Sequence, residues 1–100
     1  MKLSIIWRLS DREEKNLITG NSLQKQLDDY TDDVQVLVYK GNGQTFEKTL
    51  TGKNLDISIY DINKIPENSN IFEDAKSHVT GDYVTFTDSG DRWSDGAFVR

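Results

Sequence analysis

At 100 residues and 11.4 kDa the chain is the size of one domain, spanning 1–100. It contains no Cys, which excludes a disulfide framework, a zinc-thiolate or iron–sulfur site and a cysteine nucleophile. Twelve Lys and Arg against seventeen Asp and Glu give a net charge of -5, a field that repels phosphate backbones and anionic lipid headgroups.

In chain order, Lys2 to Leu9 places Leu3, Ile5, Trp7 and Leu9 on one side, with Ile6 as the exception on the other. That period of two predicts a strand with one buried face, Trp7 in the core. Ser10-Asp11-Arg12-Glu13 matches a capping box, so a short helix is expected to run to Ile18 and to close at Gly20. Asn21 then caps a second short helix, where Leu23, Leu27 and Tyr30 recur on one face.

Val34 to Lys40 (VQVLVYK) is the clearest strand signal, apolar on both sides and therefore expected inside the sheet. Gly41-Asn42-Gly43 predicts a tight turn, with Thr45 to Leu50 returning as a hairpin partner. A second turn at Thr51 to Asn54 leads into Leu55, Ile57 and Ile59, which alternate with polar residues and complete a meander. A connection containing Pro66 follows, then one or two helical turns over Ile71 to His78. Val79 to Thr87 predicts a fifth strand, and Trp93 to Val99 a short closing one. Together these segments predict an α+β fold: a mainly antiparallel sheet of five or six strands, with one or two short helices after the first strand.

Catalytic furniture is sparse. His78 is the only histidine, and at a strand start it is expected to be exposed and idle. No phosphate-binding glycine loop and no nucleophile elbow occurs. A mean hydropathy of -0.66 without a long apolar run argues against a membrane span, and the first ten residues show no secretory signal pattern. A cytoplasmic protein without metal or cofactor is expected.

Two acidic clusters stand out. Asp28, Asp29, Asp32 and Asp33 put four carboxylates into six residues, at a helix C-terminal end where acids oppose the dipole. Their spacing does not fit a calcium-binding EF-hand loop. Local stability would not select that placement; an acidic patch for a basic partner would. The second cluster, Asp88, Asp91 and Asp95 around Trp93, combines charge with an aromatic anchor in the manner of an interaction loop.

In size and charge the chain resembles the small acidic proteins that phages deploy against host nucleases and defence complexes, some of which imitate the charge of DNA. That resemblance implies a non-catalytic inhibitor or immunity-type protein, monomeric or homodimeric. Its partner would be a basic protein or nucleoprotein complex, with no direct nucleic-acid or membrane contact. The alternatives are a structural or assembly subunit and a hydrolase working through paired carboxylates.

Overall fold

Six successive residues, Val34 to Tyr39, are buried, and so are four in a row from Ser4 to Trp7. Neighbouring side chains on a strand point to opposite faces, so such runs require cover on both sides of the sheet. The computed structural model describes residues 2–10, 12–30, 32–41, 50–52, 54–66 and 70–88. Within them the chain runs β1 (Leu3–Arg8), α1 (Glu13–Asp29), β2 (Val34–Lys40) and β3 (Leu55–Asp61). A 3₁₀ turn (Ile62–Lys64), α2 (Ile71–Lys76) and β4 (Tyr83–Asp88) complete it. The strands form one sheet in the order β3-β2-β1-β4, and every pairing is parallel.

This corrects the expected α+β arrangement with a mainly antiparallel sheet of five or six strands. Four parallel strands are present among the described residues, with a helix on each face. The register pairs Val34 with Leu55, so the chain must travel back the length of β2 before β3 begins. A meander is therefore impossible between these two strands, whatever the turn signal at Gly41. The return strand expected over 45–50 falls outside the described residues except for Leu50, which is buried against the α1-side core. The closing strand expected at Trp93 to Val99 also falls outside them.

The two expected short helices are one continuous helix. Thr19, Gly20, Leu23, Gln26 and Leu27 are its buried residues, a single stripe at helical spacing that runs through Gly20 rather than ending there. The capping box also differs in detail. The Ser10 hydroxyl accepts from the Arg12 amide at 3.1 Å, and Asn16 instead of Glu13 reaches back, its Oδ1 accepting from the Ser10 amide at 2.9 Å.

Two cores result, one on each side of the sheet. Ile5, Trp7, Leu9, Val34, Val36 and Val38 meet Leu23 and Leu27 of α1. On the other face Ile6, Leu37 and Tyr39 meet Ala75 of α2, with Ile62, Ile71 and Phe86 packed around them. A buried polar knot joins the second layer to the sheet. Gln35 Oε1 accepts from the Ser4 hydroxyl at 2.8 Å and the Thr80 amide at 3.0 Å, while its Nε2 donates to the His78 carbonyl at 2.8 Å.

Candidate functional site

All four strands start at the same end of the sheet, because Leu3 is in register with both Val34 and Tyr83, and Val34 with Leu55. Helix α1 runs back to that end, and its last residues are Asp28 and Asp29. Asp32 and Asp33 lie in the connection into β2, and all four carboxylates are exposed. Sequence reasoning had no means of adding Asp82, which tertiary pairing brings to the same end. Its Oδ2 accepts from the Lys2 amide at 3.0 Å, and its own amide donates to the Lys2 carbonyl at 2.8 Å.

The end of α1 lacks a positive charge to oppose its acids. Its last turn contains no basic residue, so two carboxylates sit beside carbonyls that already carry partial negative charge. Tyr30 follows as the C-cap residue of the helix. Partial burial, followed by the nearby charges of Asp32 and Asp82, pushes its phenol above the usual tyrosine range.

Between the end of α1 and the start of β3 lies a cleft of about 750 Å³. Leu27, Val34 and Leu55 give it apolar surface, while Asp28, Tyr30 and Asp32 line it with carboxylate and phenol groups. One wall is fixed by a two-way clamp. Gln24 Nε2 donates to the Thr51 carbonyl at 2.8 Å, and Gln24 Oε1 accepts from the Thr51 amide at 2.9 Å. The same Nε2 donates to Asp28 Oδ1 at 2.9 Å, which orients that carboxylate. A cleft with apolar surface and acidic walls matches a long basic side chain, whose alkyl stem prefers apolar surface and whose head prefers carboxylates.

The second expected cluster falls almost entirely outside the described residues. The backbone of Asp88 ends β4 in register with Arg8, at the opposite end of the sheet from Asp28. Asp91, Trp93 and Asp95 lie outside the described residues.

His78 is partly buried rather than exposed as expected. Its ring stacks on Tyr60 with centroids 4.4 Å apart, and Tyr60 stacks on Tyr39 at 5.3 Å. Asp74 links the ends of this stack, accepting from the Tyr39 hydroxyl at 2.7 Å and lying 3.6 Å from His78 Nε2. The cause is tertiary: α2 and β3 bring together residues that are far apart in the chain. Burial and the Asp74 hydrogen bond hold the Tyr39 phenol well above its ordinary range.

Among the described residues no group of three or more His, Asp or Glu is placed to hold a metal ion, and no helix is long and apolar enough to cross a membrane. Comparison of the chain with protein-family models, with curated proteins and with solved structures finds no match.

Proposed function

We propose that this chain is a non-catalytic binding protein of the inhibitor or immunity type, which uses the acidic end of its sheet to cover a basic surface on a partner protein or nucleoprotein complex in the cytoplasm. One observation carries the reading. The Asp28 and Asp32 carboxylates line a cleft whose apolar surface comes from Leu27, Val34 and Leu55, so charge and shape together favour a Lys or Arg side chain. Tyr30 adds an aromatic ring to the same cleft, a surface that attracts a cation through its π face. The acids at the end of α1 support the reading further, because its last turn holds no basic residue and the helix dipole disfavours them.

The test is titration of an octalysine peptide into the protein, followed by amide shifts at about 50 mM and about 500 mM salt, where screening differs strongly. Saturable shifts are expected at Leu27 to Val34 and at Asn54 and Leu55, weakening at the higher salt. Replacing Asp28, Asp29, Asp32 and Asp33 with Asn should weaken binding by about tenfold or more, equivalent to at least about 1.4 kcal/mol. Unchanged affinity in the fourfold variant, or shifts confined to another surface, sinks the reading. Capture of a basic nucleic-acid-binding protein from host lysate by the parent chain, lost with the fourfold variant, would identify the partner.

A further inference from the structure

The opposite end of the sheet differs in chemistry. Strand β1 lies between β2 and β4, so the connection from β3 to β4 crosses the sheet on the α2 side to reach the far edge. In open parallel sheets, such a reversal of strand order leaves a crevice at the carboxyl ends of the strands, where ligands bind. Here the reversal falls between β1 and β4, whose carboxyl ends bear Arg8 and the Phe86 region.

A cleft of about 420 Å³ occupies that place. Ile62, Ile65 and Pro66 form one wall, Ile71 and Phe72 another, and Phe86 rises from the sheet. Phe72 and Phe86 stack with centroids 4.8 Å apart, yet Phe72 is 53% exposed, so a large aromatic surface stays wet beside the cleft. Arg8 is the single charged side chain among the described lining residues, its guanidinium carbon 5.8 Å from the Phe86 ring centroid. Asn70 adds a side-chain amide; its Oδ1 accepts from the Glu73 amide at 3.0 Å, which orients the group and leaves its nitrogen as a donor type.

We infer that this cleft binds a small organic acid: one carboxylate joined to an aryl or branched-alkyl body. The aliphatic and aromatic walls cover the body, and the guanidinium selects the carboxylate by charge and forked geometry. The volume lies within the range of roughly 300–1,000 Å³ usual for small-molecule sites, towards its lower end. The site is independent of the acidic pole, since the length of β1 separates the two ends by about 16 Å.

The probe is 4-phenylbutyrate, with its uncharged amide 4-phenylbutyramide as the control, each titrated into the full chain and followed by amide chemical shifts. The acid should give saturable shifts at Ile65, Ile71, Phe72 and Phe86, with the amide at least about tenfold weaker. Arg8→Met, at an exposed position, should abolish the preference for the acid while keeping the fold. Phe72→Ala should weaken both probes alike. Equal binding of acid and amide, or no saturable shift up to about tenfold above a millimolar dissociation constant, overturns the assignment. Tighter binding by at least about tenfold of a tetrapeptide ending in Phe would overturn it in favour of a peptide ligand.

Discussion

Tyr39 of β2 and Asp74 of α2, thirty-five positions apart, share a hydrogen bond of 2.7 Å between phenol and carboxylate. The Tyr39 side chain is fully buried, so this bond fixes how α2 lies on the sheet. Tyr39→Phe keeps the ring and its stack on Tyr60 but removes the donor. The expected cost is about 1–2 kcal/mol, less than for a fully buried pair because water can reach part of Asp74. Urea unfolding of the two proteins checks it.

The same residue sets an alkaline limit. Burial first and the Asp74 bond second hold its phenol above the unfolded value of about 10. A raised pKa means the native state keeps a proton that the unfolded chain releases. Stability is therefore complete below about pH 10 and falls as pH rises further. Denaturant midpoints should drop above that pH, and the drop should be shallower in Tyr39→Phe. An identical slope in both proteins would show that Tyr39 is not the group responsible.

Gln35 serves four groups through one amide, meeting Ser4, Thr80 twice and His78. Gln35→Leu is close in volume but leaves a buried serine hydroxyl and the His78 carbonyl short of a partner. A loss of about 2–3 kcal/mol is expected, with faster amide exchange at Thr80 and Gly81.

Gly81 is held to β1 by the bond from its amide to the Ser4 hydroxyl at 2.9 Å. A Cβ added there would stand 2.5 Å from Ser4 Oγ and 2.8 Å from the Ser4 backbone nitrogen. The first contact can be removed by truncating Ser4; the second cannot. Gly81→Ala should therefore destabilise by about 1–3 kcal/mol, and Ser4→Ala in the same chain should not restore the parent midpoint.

Val36 lies in an interior strand, fully buried in the α1-side core. Val36→Asp places an unpaired carboxylate there and should cost about 3 kcal/mol or more. A thermal midpoint within a few degrees of the parent would contradict the packing described.

Neutralising the acidic pole should have the opposite sign. With Asp28, Asp29, Asp32 and Asp33 changed to Asn, the net charge rises from -5 by the four charges removed. The amide oxygen introduced in place of the Asp28 carboxylate can still accept from Gln24. The thermal midpoint should hold or rise slightly at low salt, and the difference should vanish near 1 M salt, where the screening length is about 3 Å.

Much of the secondary structure was legible because it depends on local periodicity. β1, β2, β3 and β4 stand close to where alternation placed them, and the acidic cluster was visible as composition alone. Strand direction was not legible in the same way. Gly41-Asn42-Gly43 suggested a hairpin, but a turn signal acts on a few residues and cannot decide which neighbour a strand pairs with. The decisive sign was the doubly apolar character of Val34 to Tyr39 and the misfit of Ile6 in β1, which together imply layers on both faces. Gly20 misled for a related reason: its freedom permits a helix end, but the buried stripe on both sides of it outweighs that preference.

The amino-acid sequence by itself determined where the four described strands lie, the absence of thiol chemistry and the excess of acid near the end of α1. Only the tertiary structure decided the parallel order, the placing of Asp82 at the same end of the sheet as the acids of α1, the Tyr39–Asp74–His78 arrangement and the cleft beside Arg8. The physical reason is range. Backbone preference and side-chain alternation act between residues a few positions apart, whereas strand pairing and site assembly join residues such as Lys2 and Asp82, brought together by burial of both sheet faces at once.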